Sequence, residues 1–210
     1  MPTLLEETEI KLSWSDIESR VQHPRPKKKR SPGVHLMSGI IRPVLIESGI
    51  LRPFDKEQLD AEEMPLRMAL GMAAEDWLVG LWPEMIWQPG ELAEDGVIGS
   101  PDGVTWKFKL PSIKRTVGLL EEFKCTWMSR KKHGQDITQH SIFVWQAAAY
   151  CYMLGVRHAR FHILWVNGDY NLGPPSPVYH TYLLEYTQKE LDTFWANVIL
   201  PNRAGAPEEK

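Results

Sequence analysis

The chain has 210 residues, 43% hydrophobic and 24% charged, with a formal net charge of −3 and only two cysteines, Cys125 and Cys151. That length suits one domain able to bury a real core, and the composition is that of an ordinary globular protein. Two cysteines exclude a disulfide framework, a four-cysteine zinc site or an iron–sulfur cluster, and they fit a reducing compartment.

Residues 1–33 are expected to form an N-terminal arm. It would hold one short helix, with Ser15 and Glu18 at capping-box spacing, and a Pro/Lys-rich linker ending in the basic run "RPKKKR" at 25–30. The acidic, broken start "MPTLLEETEIKLSW" does not read as a signal peptide, and no apolar run approaches a membrane span. The expected location is therefore the cytoplasm, or the host cytoplasm for a phage-encoded chain, with no membrane partner. "HLMSGIIRPVLIESGIL" predicts one or two short helices broken near Pro43. Residues 65–82 carry apolar side chains at helical spacing, open on a proline suited to a first turn and stop at Pro83. Residues 55–95 hold eleven Asp or Glu against Lys56 and Arg67, whereas residues 104–133 hold eight Lys or Arg against Glu121 and Glu122. Positive charge gathered in one region can bind a polyanion despite a negative total.

A β region follows. "VTWKFKL" (104–110) alternates, placing Val104, Trp106, Phe108 and Leu110 on one side, and residues 119–126 read as another strand. Residues 138–154 read as a helix closed by Gly155. Strands are expected at 159–166 and 178–186, and "TQKE" (187–190) opens a final helix with a capping box. The nine tryptophans read mostly as core. The order predicts an α/β fold, a single domain over 34–203 with a central mixed sheet flanked by helices, and a disordered tail at 204–210.

Asp102 sits on a Pro-Gly-flanked bend, and Glu122 and Lys124 lie two apart in a strand. Side chains two apart share a face, so Glu122 points with Lys124 while Glu121 points away with Phe123. Two carboxylates converging on one point suit a hard divalent cation, and a lysine beside them suits developing negative charge. In the helix before the sheet, Glu75 follows Gly71 by one turn, so both lie on one face and the glycine leaves room for close approach.

"SPDG" (100–103) followed by "EFK" (122–124) resembles the split signature of the PD-(D/E)xK nuclease superfamily, with its restriction-endonuclease-like core. "GMAAE" (71–75) is similar to the glycine-to-glutamate helix motif of its lambda-exonuclease-like group. "QAAAY" (146–150) is similar to the Q-x-x-x-Y motif of RecB-like nucleases. The four elements occur in the family's order across residues 71–150, about two-fifths of the chain. The resemblance implies that Asp102, Glu122 and the backbone carbonyl of Phe123 hold Mg²⁺ or Mn²⁺, with Glu75 completing the site directly or through water. It implies that Lys124 orients the attacking water and stabilises the phosphorane-like charge, and that Gln146 and Tyr150 buttress the site and meet the DNA backbone. Tyr150 as a plain core aromatic is the alternative reading. Arg130, Lys131 and Lys132, with Trp127, form a basic loop expected to grip phosphates. His35 is expected to be an ordinary partly buried histidine.

The four-cysteine nucleases of CRISPR adaptation share this core but hold an iron–sulfur cluster, which two cysteines cannot supply. The resemblance implies DNA as partner, and admits a single-strand-annealing recombination protein and a homo-oligomer as further ones. The function it implies is a metal-dependent deoxyribonuclease, an exonuclease of phage recombination, replication or repair. An endonuclease on the same fold, restriction-like or junction-resolving, is the close alternative. A catalytically silent DNA-binding module, and an interaction protein whose acidic 55–95 stretch docks a basic partner, are the others.

Overall fold

The structure, a computed structural model, describes residues 1–11, 30–53, 63–110, 116–127, 136–166 and 177–204. Its centre is strand β8 (His158–Trp165), whose eight residues are all buried. A strand buried on both faces must be covered by helices. Its last three residues, Ile163, Leu164 and Trp165, are apolar on both faces, while His158, Arg160 and His162 are buried polar residues. Six strands form one sheet in the order β1 (Thr3–Lys11), β9 (Val178–Glu185), β8, β7 (Thr116–Thr126), β6 (Gly103–Lys109) and β3 (Ile86–Trp87). Only β7 and β8 pair in parallel; the other neighbours are antiparallel. The fold is therefore mixed α/β. A smaller sheet holds β2 (Val34–His35), β5 (Val97–Gly99) and β4 (Leu92–Glu94).

Between β2 and β3 come a π-helical turn at Leu36–Ile41, α1 (Arg42–Glu47) and α2 (Glu63–Val79). The first run divides near Pro43 as expected: the π-helical turn gives way to α1 at Arg42, and the proline stands in the opening turn of α1. The crossover from β7 to β8 contains α3 (Ser141–Leu154), closed by Gly155 at φ 65°. This helix covers one sheet face, burying Val144, Ala147 and Cys151 against Leu120, Phe161, Ile163 and Leu184. Full burial of a side chain such as Phe161 is worth about 1.5–3 kcal/mol, and this layer holds β7 flat beneath α3. On the opposite face α2 packs Ala73, Ala74 and Leu78 against Phe123, Leu164 and Tyr179. The chain ends in α4 (Gln188–Phe194), which opens on the capping box of Thr187 and Glu190, and continues through Trp195–Ile199 to α5 (Leu200–Arg203). No helix among the described residues is long and apolar enough to cross a membrane.

Three expectations need correction. The stretch 1–33 is not simply an arm, because Thr3–Lys11 forms the edge strand paired with β9. His180 of β9 holds it from below, with its ring nitrogens 3.0 Å from Glu7 and 3.2 Å from Glu9, and the Met1 ammonium donates to Glu190 at 2.6 Å. The helix expected around Ser15 and the run 25–30 mostly lie outside the described residues, as does the tail from 205. Strand β6 does not alternate to its end either. Its register slips between Thr105 and Phe108, so Trp106 and Lys107 together face Gly118, and Trp106 is 51% exposed instead of sharing the core with Val104. Finally, α2 begins at Glu63, two residues before the proline expected to open it.

Candidate active site

Strand β5 hands the chain to Pro101 and Asp102, and β6 starts at once with Gly103. The bend is tied to β7 by the Phe123 backbone N–H, which donates to Asp102 Oδ2 at 2.9 Å. Glu122 and Lys124 flank Phe123 on the face toward α3. The Lys124 ammonium donates to Glu122 Oε2 at 2.6 Å and lies 3.6 Å from Asp102 Oδ2. The Glu122 side chain is 0% exposed, Lys124 17% and Asp102 27%, so the cluster opens to solvent at the aspartate.

Two carboxylates share one ammonium, which leaves one negative charge in a buried place. Burial pushes the Glu122 carboxyl up, against the pull of Lys124 and with the help of Asp102, to about 8. Burial would lower Lys124, but Glu122 and Asp102 outweigh it and raise it. Glu122 Oε1 is buried with no hydrogen-bond partner among the described residues. An orphaned carboxyl oxygen, a partly open aspartate and the one charge left over once both carboxyls ionise form a hard-oxygen set suited to a divalent cation.

A linkage follows from the raised Glu122. Its folded value stands above the usual 4.5, so the native state holds a proton that the unfolded state releases. Without metal, this group's contribution to stability is lost as pH rises from about 4.5 toward about 8. Mg²⁺ that replaces the proton should therefore raise the melting temperature more at about pH 8 than at about pH 6. Thermal melting with Mg²⁺ and with EDTA at both values checks this, and an equal effect at both would refute it.

Other predicted residues divide. Tyr150 is buried at the cluster, hydrogen-bonded to Gln146, with its hydroxyl pushed up by burial and by Glu122. It is also part of the apolar core, as the alternative reading of this residue expected. Gly99 makes room for it: a Cβ there would lie 2.6 Å from the Tyr150 ring, three residues before Asp102. Glu75 lines a cleft of about 290 Å³ with Gly71, Phe123 and Lys124, and accepts from the Trp87 indole at 3.2 Å. Among the described residues no three His, Cys, Asp or Glu side chains are grouped to hold a metal ion, so Glu75 does not join Asp102 and Glu122 as a third ligand here. His35 is 5% exposed, with Nε2 2.8 Å from the Ser31 carbonyl. Arg130, Lys131 and Lys132 lie outside the described residues.

Behind the cluster, on the α2 face where it was expected to point, Glu121 anchors a buried network of its own. Arg160 clamps it through Nε at 2.9 Å and Nη2 at 2.6 Å, Thr105 donates at 2.7 Å, and His162 Nε2 lies 2.8 Å away. Burial would raise Glu121, but the bonds from His162 and Arg160 outweigh it and lower it, so it is ionised and accepts throughout. His162 Nε2 then carries the proton, and burial holds the ring neutral. Its Nδ1 accepts from the Tyr179 hydroxyl, which accepts from the Trp82 indole at 3.0 Å. The His162 ring stacks on Phe123 at 4.4 Å, so the network braces the residue whose N–H holds Asp102. Its signal lay in β8, where Arg160 and His162 stand two apart in an otherwise apolar run.

No protein-family model matches the chain, and no curated protein sequence matches it. Two solved structures resemble its overall path. One is the crystal structure of SSO0001, 12% identical, covering 89% of this chain and 82% of that one at a TM-score of 0.44. The other is a phage-related exonuclease from Haemophilus somnus 129PT, 11% identical, covering 77% of this chain and 76% of that one at a TM-score of 0.45.

Proposed function

We propose that the chain is a divalent-metal-dependent deoxyribonuclease, acting as an exonuclease on DNA ends. The observation that carries this reading is the convergence of Asp102, Glu122 and Lys124 around an orphaned, buried Glu122 oxygen. A binding module has no use for two carboxylates where phosphates approach.

Asp102 and Glu122, with the Phe123 carbonyl, would hold Mg²⁺ or Mn²⁺. When bound, such an ion supplies a nucleophilic water near neutral pH and neutralises non-bridging phosphate oxygens. The chain's own part is positional and electrostatic. Lys124, kept protonated by its two carboxylates, directs positive charge at the oxygens on which charge develops. The Phe123 N–H fixes the rotamer of Asp102, and the Glu121 network behind it prevents β7 from relaxing. Tyr150 and Gln146 would buttress the cluster from α3, and Gln146, the less buried of the two, would be the one to meet a DNA backbone. DNA is the proposed partner; a single-strand-annealing protein and further copies of this chain fit the same role in recombination.

The test is digestion of linear and of covalently closed circular DNA by the purified protein. Linear DNA should be degraded with Mg²⁺ or Mn²⁺ and left intact with excess EDTA, while Ca²⁺ should support binding with little cleavage. Degradation undiminished in EDTA would overturn the metal assignment, and cutting of the closed circle would move the reading to an endonuclease.

A further inference from the structure

The bulge in β6 turns a tryptophan outward where simple alternation would bury it. Trp106 does not hang free: its six-membered ring lies 3.3–3.4 Å from where a Gly118 Cβ would stand. Val156 is closer still, at 2.7 Å from that position, so only glycine leaves the seat open. One side of the indole is thus packed against β7, and the residue remains 51% exposed. Beside it Lys107 and Lys109 are exposed, and neither is paired among the described residues. The edge they occupy is open as well. Strand β3 pairs only with Gly103 and Val104, so the outer edge of β6 from Thr105 onward meets no strand among the described residues.

An edge strand carrying lysines resists the addition of another protein strand. The same lysines, next to an aromatic plate, suit a polyanion with flat bases. Gly118 also stands four positions before Glu122 on one face of β7, about 13 Å away at the rise of a strand. A nucleic-acid strand a few nucleotides long spans that distance.

We infer that Trp106, Lys107 and Lys109 form a binding site for a single strand of DNA, distinct from the Asp102–Glu122–Lys124 cluster. A base stacks on the indole and the flanking phosphates meet the two lysines. The choice of DNA rests on the nuclease reading; the site itself rests on the bulge, the seated indole and the unpaired lysines.

The test is fluorescence anisotropy of a labelled oligothymidylate with the full chain in EDTA, where no cleavage is required. Trp106→Leu keeps apolar cover over Gly118 but removes the π-face, and should weaken binding about tenfold. Trp106→Phe should stay within about twofold of wild type, because it can still stack. Lys107→Glu with Lys109→Glu should weaken binding and flatten its salt dependence, by about 0.7 in log–log slope for each phosphate no longer neutralised. Melting temperatures of the three variants serve as the control for folding. Wild-type affinity in Trp106→Leu, equal losses in the Leu and Phe variants, or no binding by the wild type would each overturn the site. A chain that cleaves no DNA yet shows this dependence on Trp106 would instead overturn the nuclease reading and leave the strand-binding site standing.

Discussion

Lys124→Ala should lower single-turnover cleavage by about a hundredfold or more, the usual loss when one preorganised stabiliser of developing charge is removed. The ammonium bonds Glu122 and lies 3.6 Å from Asp102, and among the described residues no other cation is paired with either carboxylate. Its work lies in the transition state, and DNA affinity measured in Ca²⁺ should fall only modestly. The metal balance is subtler. Removing Lys124 frees Glu122 Oε2, so divalent-metal affinity should hold or rise slightly where the carboxyl is ionised. At lower pH a proton takes the place of the lysine, since the carboxyl already stands far above the ordinary range. Single-turnover rates, Mn²⁺ titration and DNA binding on one preparation separate these effects. Cleavage at the wild-type rate would sink the catalytic assignment of Lys124.

The adjacent glutamates should fail in opposite ways. Glu122→Gln imitates the protonated carboxyl that burial already favours, so the fold should melt at or slightly above the wild-type temperature while cleavage disappears. Glu121→Gln removes the charge that balances Arg160 at 0% exposure. Breaking a buried pair from one side costs about 3–5 kcal/mol. For a chain of this size that corresponds to a fall of about 10 °C or more in melting temperature. Cleavage per folded molecule should survive in part, because Glu121 touches neither Asp102 nor Glu122. Melting curves and active-site-normalised rates decide it, and two variants with the same phenotype would erase the distinction between the faces.

Much of this was legible from period and punctuation. Glu122 and Lys124 share a face because strands have a period of two, and that alone separates Glu122 from Glu121. The Thr187–Glu190 capping box is local chemistry, and the structure forms it as the sequence spells it. The parts that escaped depend on distant partners. That Glu121, on the opposite face, anchors a network depends on Arg160 and His162, 39 and 41 residues away. Strand Thr3–Lys11 alternates too weakly to declare itself, and only β9 makes it a strand. Trp106 misled because a bulge inserts one residue against Gly118, and strict alternation in the sequence hides that slip. Glu75 was placed on the correct helix face, but a helix face does not fix the distance to another element's carboxylates.

The pairing of Thr3–Lys11 with Val178–Glu185 carries a consequence for how the molecule is assembled. Strand Thr3–Lys11 finds its partner only after the chain has been made through Val178–Glu185, so this pairing of two elements far apart in sequence forms late. Loop-closure entropy charges little for that delay, about 0.6 kcal/mol per doubling of the intervening length, and the cost falls on the clock. Until closure β9 presents a bare row of backbone donors and acceptors, a template that any extended chain can read. Removing Thr3–Lys11 would move the sheet edge from a strand that carries Glu6, Glu7 and Glu9 to the more apolar β9, which lacks that protective charge.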